Sequence, residues 1–380
     1  MFYFCIMNKI YIGIICALFA FAASCNSGNS TQHAARVNNR FEYARNISSE
    51  QGSNRVVVYL NAQHSDSIVY MLTSEKPENI YDATTKTFFI QTPIQRVALT
   101  STTDIAPVAE LHEVHSLIAL CEVFRFCNPA VHELYAAGKI TDIGSGFDEN
   151  VEKIIAVHPN VLIKTLFAQA FSNNDMLYLQ SDIPIIFNNN WQETSPLGRA
   201  EWIKFFGMLY GKEHEADSIF AVISNSYNEQ KTRYAAVENR PQVLAGEMTG
   251  NVWYAPGGNS YIAQFIADAG GEYIFANNNE QGSIALNFEQ ILQKSQTAHV
   301  WIGSRFSTKK ELFAENHLYS LLPITQTAQC YNYNKAQRGE CNDYFETGTL
   351  RPDYVLADVI AILHGDSGAQ RNCRFLEGLR

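Results

Sequence analysis

A short segment occurs twice in this chain, 137 residues apart, and each copy stands in the same local setting. Asn150-Val151-Glu152-Lys153-Ile154-Ile155 leads through a helix to the strand VLI (161–163), and Asn287-Phe288-Glu289-Gln290-Ile291-Leu292 leads likewise to VWI (300–302). Each Asn can cap a helix, and each Glu sits in the first turn, where the partial positive charge of the helix start favours a carboxylate. Asn-x-Glu alone is merely good capping chemistry. Its repetition before a strand points to two similar lobes, each with one Glu at a corresponding helix start, displaying two carboxylates on one face of a bilobed body.

The rest of the pattern agrees. From Arg96 onward, VALT (97–100), LIAL (117–120), VLIKT (161–165), PIIF (184–187), QVLAGE (242–247) and HVWIG (299–303) alternate with helical stretches. That spacing predicts βα units, parallel sheets and an α/β class. Residues 41–95 are instead β-rich, with RVVVYL (55–60), SIVYML (67–72) and TFFIQT (87–92) separated by polar turns. In the middle, Pro196 opens a helix through Tyr210 and Gly211 breaks it. Ala216, Ile219, Phe220, Ile223 and Tyr227 then continue at helical spacing toward Val237, and Pro241 closes the segment. At ~1.5 Å per residue such a segment is a spacer between lobes. The expected division is a signal at 1–24, a tether at 25–40, a β-rich extension at 41–95, an N-terminal lobe at 96–190, a linking helix region at 191–240 and a C-terminal lobe at 241–380.

Lys9 and the apolar run Ile10 to Phe21 form an export signal, too short for a comfortable membrane span, and Met7 serves as a start as well as Met1. Ala22, Ala23 and Ser24 before Cys25 resemble a bacterial lipobox, although Leu is absent three residues before the Cys. Cys25 is therefore the expected lipidation site, with an ordinary secretory signal as the alternative. Residues 26–40 carry no Asp or Glu and little that is apolar, as a flexible tether would. Without the signal the chain has 27 basic and 38 acidic side chains. With no cluster of Lys and Arg to release counterions from phosphates, nucleic acid is excluded as a partner.

Beyond Cys25 there are Cys121, Cys127, Cys330, Cys341 and Cys373. An oxidising compartment permits pairing, and the sequence-local candidates are Cys121 with Cys127 and Cys330 with Cys341; free buried thiols are the other possibility.

Five segments, in order, resemble the substrate-binding proteins of bacterial ABC importers for iron-siderophore complexes, haem and cobalamin. They are RVALTST (96–102), NVEKIIAVHPNVLI (150–163), GGNSYIAQFIADAGGEYIF (257–275), FEQIL (288–292) and PDYVLADVIAILH (352–364). The second departs from the family pattern by having Asn160 where Asp is usual. The resemblance spans roughly Arg96 to Gly365 and leaves out residues 41–95. It implies two Rossmann-like lobes joined by a long rigid backbone helix, the class III periplasmic binding protein plan, here with an N-terminal β-rich extension. It further implies a monomer without a cofactor or enzymatic activity. Such a protein captures a metal chelate (ferric siderophore, haem or corrinoid) between the lobes and delivers it to an ABC permease dimer with its ATPase. Glu152 and Glu289 take the permease-docking positions. Lipid anchoring on the periplasmic face of the inner membrane, or at the cell surface, completes the expectation.

Large planar or macrocyclic ligands need aromatic faces and a few cations or hydroxyls. The candidates are Thr102 and Thr103 after the first strand, Phe124 and Arg125 (with Phe126) after LIALC, Phe147 in GSGFD, and Trp191 in the crossover. Trp253 and Tyr254, expected to be exposed by the Pro-Gly-Gly loop, and Tyr344, Phe345 and Glu346 in CNDYFE complete the set. Gly257-Gly258-Asn259-Ser260 is either an anion seat or a helix cap. Two other classes compete. A Zn or Mn carrier, or an exported metal-dependent enzyme, would draw on His112 and His115, but HEVH is not H-E-x-x-H and no three or four convergent ligands stand out. Hydrolase and nucleotide motifs such as G-x-S-x-G are absent.

Overall fold

A computed structural model describes residues 38–165, 171–327, 329–365 and 367–380. The signal, Cys25 and nearly all of the tether lie outside the described residues.

The β-rich extension forms a five-stranded sheet of β1 (Ile47–Ser48), β2 (Arg55–Tyr59), β3 (Ser67–Thr73), β4 (Tyr81–Asp82) and β5 (Thr87–Gln91), in the order β1-β2-β3-β5-β4. Strand alternation turns Ile68, Tyr70 and Leu72 of β3 inward and leaves Ser67, Val69, Met71 and Thr73 partly covered. The sheet is docked on the following lobe. Tyr70 Oη accepts from the Phe187 amide at 2.8 Å, Asn189 Nδ2 donates to the Tyr59 carbonyl at 2.8 Å, and Phe171, Phe187 and Phe88 interlock.

The N-terminal lobe holds the parallel strands β6 (Val97–Leu99), β7 (Leu117–Leu120), β8 (Thr141–Asp142), β9 (Val161–Thr165) and β10 (Ile185–Asn188), in the order β10-β9-β6-β7-β8. The first strand of the lobe lies in the middle, so the strand order reverses between β6 and β9. In the C-terminal lobe, β11 (Gln242–Ala245), β12 (Glu272–Tyr273), β13 (Val300–Ser304), β14 (Cys330–Asn332) and the antiparallel β15 (Glu377–Gly378) follow the order β12-β11-β13-β14-β15. There the reversal lies between β11 and β13. Strands such as Ile185–Asn188, buried at every position, are what a sheet covered on both faces requires.

The helices used below are α1 (Ile105–Glu110), α2 (Val151–Val157), α3 (Pro196–Glu201), α4 (Ile203–Tyr210), α5 (Glu213–Tyr234), α6 (Tyr261–Asp268), α7 (Phe288–Lys294), α8 (Asp343–Leu350) and α9 (Pro352–His364). The central segment is not one spacer. Gly211, at φ +67°, ends α4 with a Lys212 amide bond to the Gly207 carbonyl, and the chain turns into α5. The two helices then pack closely: a Cβ on Gly207 would come to 2.5 Å from that of Ala216. Of these two helices it is α5, 22 residues and about 33 Å long, that leads from one lobe to the other, and it stops at Tyr234 rather than Val237. It is fixed to the C-terminal lobe by Tyr227 Oη donating to Asp268 and Gln230 Nε2 donating to the Asp353 carbonyl.

Two buried glutamates hold the start of the folded body. The amides of Glu42, Tyr43 and Ala44 donate to the Glu201 carboxylate, and those of Arg45 and Asn46 to Glu193. Lys204 and the Trp202 indole complete the two shells.

Candidate functional site

In doubly wound sheets a crevice opens beyond the carboxyl ends of the strands where the strand order reverses. In the N-terminal lobe this is the turn after β6. Ser101 Oγ caps it, 2.8 Å from Thr103 Oγ1, and Asp104 Oδ1 accepts from Asn188 Nδ2 at the end of β10. Helix α8, from the C-terminal half of the chain, packs against this turn, α1 and α3. Between them lies a small cavity of about 50 Å³ lined by Thr103, Arg199, Tyr261, Phe265, Tyr344 and Phe345, among others. Tyr344 stacks on Tyr333 at 4.1 Å, and the Arg199 guanidinium lies 4.4 Å over the Tyr261 ring.

One covalent bond crosses the site: Cys127, beyond β7, is disulfide-bonded to Cys341, just before α8. This overturns both local pairings. Cys121, Cys330 and Cys373 are free and buried, and burial pushes their thiols up to about 12, 11 and 12. Beside the disulfide, Glu346 accepts from the Cys127 amide at 2.5 Å. Burial raises its carboxyl to about 7, against that hydrogen bond. Asp104 is likewise raised to about 7 by burial.

The sequence candidates separate into three groups. Thr102 and Thr103 are half-buried in the turn after β6, and Tyr344 is buried against the cavity. Phe124, Phe147, Trp191, Tyr254 and Phe345 are exposed, from 42% for Trp191 to 85% for Phe147. Phe124, Phe147 and Trp191 follow β7, β8 and β10, so they stand at the carboxyl edge of one sheet; Gly146 presses on the Thr100 carbonyl and brings the Phe147 turn there. These exposed aromatics therefore stand at the sheet edge and not in the core. Arg125 is spent on Glu122 at 2.9 Å.

Trp253, Phe126 and Glu346 offer no surface. Alternation along Val252–Pro256 turns Tyr254 out and Trp253 in, where its indole donates to the Ala245 carbonyl and packs on Trp301 and Tyr319. The Pro-Gly-Gly loop therefore exposes Tyr254 and not its neighbour. Phe126 is core, and Glu346, 4% exposed, faces the Cys127 amide. The GGNS segment is a cap: Ser260 caps α6, while the Gly258 and Asn259 amides donate to Asn278 and Glu280 and are not free for an anion. Arg199, Tyr261 and Phe265 carry no motif that would have singled them out.

Asn150 and Asn287 do cap α2 and α7, accepting from the Lys153 and Gln290 amides at 2.9 Å. Glu152 and Glu289 are exposed in the first turns and pair with no cation among the described residues. His112 and His115 are solvent-facing beside Glu215 and Glu113, and among the described residues no three His, Cys, Asp or Glu converge as for a metal. Another recess, about 340 Å³, lies at the opposite end of the N-terminal sheet, where Pro159 and Pro184 precede β9 and β10. It is a groove between β5 and the lobe, remote from the strand ends where chemistry gathers.

Two lobes with parallel sheets, a single linking helix and a cross-lobe cavity define the class III periplasmic binding protein fold. The family model for periplasmic binding proteins matches residues 97–336, and the chain belongs to that family. An uncharacterised lipoprotein of Methanocaldococcus jannaschii is 27% identical over 299 residues, covering 75% of this chain and 69% of the relative. Among solved structures, the periplasmic haem-binding protein RhuT from Roseiflexus sp. RS-1 superposes with a TM-score of 0.54 at 14% identity, covering 74% of this chain and 100% of that one. The periplasmic vitamin B12-binding protein BtuF of Vibrio cholerae gives 0.52 at 16%, covering 74% and 99%. At these identities the structures speak for the fold alone.

Proposed function

We propose that this chain is a lipid-anchored carrier that captures a metal chelate (haem, a corrinoid or a ferric siderophore) between its lobes and delivers it to an ABC permease with its ATPase. The observations that carry the reading are the small cross-lobe cavity at the switch point, with Tyr344 and Phe345 in its wall, and the rim of exposed aromatics Phe124, Phe147 and Trp191 beyond the strand ends of the N-terminal lobe. Such a rim offers flat apolar faces for a planar or macrocyclic body. Family membership supports the importer role, and the neighbours named for haem and vitamin B12 support the cargo class. The lipobox at Cys25 and the lipoprotein relative support anchoring after export, on the periplasmic face of the membrane or the cell surface.

The unpaired carboxylates of Glu152 and Glu289, held on capped helix starts, are the docking points for cationic side chains of the permease. Exposed ion pairs each contribute modestly, about 0.2–1 kcal/mol, but orient encounter. Reversing both to Lys should abolish delivery in a reconstituted transporter and leave cargo affinity unchanged; lost affinity would mean that these residues belong to the cleft. The carrier role itself is tested by fluorescence titration of the mature chain with haemin, cyanocobalamin, cobinamide and ferric siderophores, with Zn²⁺ and Mn²⁺ as controls. Saturable sub-micromolar binding of one chelate is expected. Binding of a bare ion alone would overturn it.

A further inference from the structure

Resting on that carrier reading, we infer that the Cys127–Cys341 disulfide is a redox latch on cargo binding: oxidised, it ties the rim of one lobe to an arm of the other, and a dithiol reductant that opens it lowers the affinity for cargo. Among the described residues it is the only disulfide. Cys127 follows the short turn Val123–Arg125, which carries the exposed Phe124, and is itself half-buried. Cys341, 6% exposed, begins the second strand of a small hairpin in which Gln337–Arg338 pairs with Cys341–Asn342. That hairpin is an arm of the C-terminal lobe with Gln337, Arg338, Gly339 and Glu340 all exposed, and the bond holds its Cys341 Cα 5.3 Å from that of Cys127. Helix α8 starts directly after the arm and brings Tyr344 and Phe345 into the wall of the small cavity. Phe124 and Phe345, three residues before one cysteine and four after the other, are thus held on the two sides of a single bond. With the bond cut, the Cys127 amide still donates to Glu346, and α8 still packs on the N-terminal lobe, but nothing covalent fixes the arm to the rim.

The other cysteines do not open it. Thiol–disulfide exchange needs a thiolate, and Cys121, Cys330 and Cys373 are buried thiols pushed up to about 12, 11 and 12, so they neither attack the bond nor capture a released half. The state is set from outside, by a dithiol. Its thiolate attacks Sγ of Cys127, the more accessible end, and forms a mixed disulfide, while Cys341 leaves as a thiolate and takes up a proton. The second thiol of the reductant, as its thiolate, then attacks the reductant's own sulfur in the mixed disulfide and releases Cys127, which is protonated in turn. Two electrons have passed: the pair ends as two thiols and the reductant as an internal disulfide. The partner is an exported protein bearing a dithiol pair. Once unlatched, the arm and the rim are ordered by the cargo itself, and fixing two aromatic side chains on binding weakens affinity about 10- to 100-fold.

Three forms of the purified mature chain are compared: oxidised, reduced with dithiothreitol and desalted under argon, and Cys127→Ser/Cys341→Ser. Amide hydrogen exchange is read without cargo, and affinity by fluorescence titration with haemin, cyanocobalamin, cobinamide and ferric siderophores after the reductant has been removed. Exchange in residues 123–128 and 337–345 should rise about tenfold or more in both untied forms, with the strands of both lobes still protected. The chelate that binds the oxidised chain should bind both untied forms about 10- to 100-fold more weakly. Reoxidising the reduced chain with oxidised glutathione should restore exchange and affinity together. Unchanged exchange in those two segments, protection lost throughout the chain, or affinity not recovered on reoxidation would each overturn the latch. A chelate bound equally by the oxidised and untied forms overturns it as well and keeps the carrier. No chelate bound by any form overturns the carrier instead, and exchange in the two segments still decides whether the arm is latched.

Discussion

Removing the cross-lobe disulfide should be the most damaging single change to this fold that leaves every apolar contact in place. Cys127 and Cys341 are 214 residues apart in sequence, so the bond closes a loop comprising most of the folded body. In the chain-entropy model a closed loop of that length restricts the unfolded chain by about 5 kcal/mol at 25 °C, the upper end of what native disulfides contribute. Urea unfolding of the Cys127→Ser/Cys341→Ser variant against wild type, both without reductant, measures the loss, and dithiothreitol should carry wild type to the same midpoint. Thiol titration gives a parallel reading. The mature chain, unfolded without reductant, should expose the three thiols of Cys121, Cys330 and Cys373 besides any unmodified Cys25, and almost none before unfolding, because buried high-pKa thiols hold little thiolate. A double variant within about 1 kcal/mol of wild type, or five reactive thiols beyond Cys25, would refute the cross-lobe tie.

Two further perturbations follow from the same geometry. Glu346 and Asp104 have folded pKa values raised to about 7 from 4.5 and 3.8, so each favours the protonated form in the fold, and stability present below about pH 4 should be lost as pH rises through 7. Glu346→Gln should flatten its share of that loss, about 3 kcal/mol, in urea midpoints measured from pH 4 to 8; an unchanged slope would show that the carboxyl is not held in its protonated form. Glu201→Ala strands the amides of residues 42–44, and hydrogen exchange there should accelerate at least tenfold with a loss of several kcal/mol, whereas unchanged protection would mean that the clamp is dispensable.

What could be read from the sequence follows from what is local. The Asn caps at 150 and 287, the alternating strands of 55–91 and the βα rhythm after Arg96 each depend on neighbours within a few residues, and each stands in the fold. Gly211 was visible as a break, but the turn it makes depends on Gly207 meeting Ala216, a contact between helices. The disulfide joins residues far apart in the chain, which no spacing argument reaches. Trp253 and Tyr254 are adjacent and equally aromatic; only the pairing of their strand, Trp253 with Met248 and Leu286, decides which one faces in.

In the carrier proposed above, one chelate enters between the lobes. Equilibrium dialysis of the mature chain against each member of the chelate panel, followed by metal counting, tests it, with Thr103→Trp as a variant that fills the cavity. One metal atom per wild-type chain for a single chelate, and none for a folded Thr103→Trp, is the expected result. Retention of the chelate by Thr103→Trp, or no chelate retained by wild type, would contradict it.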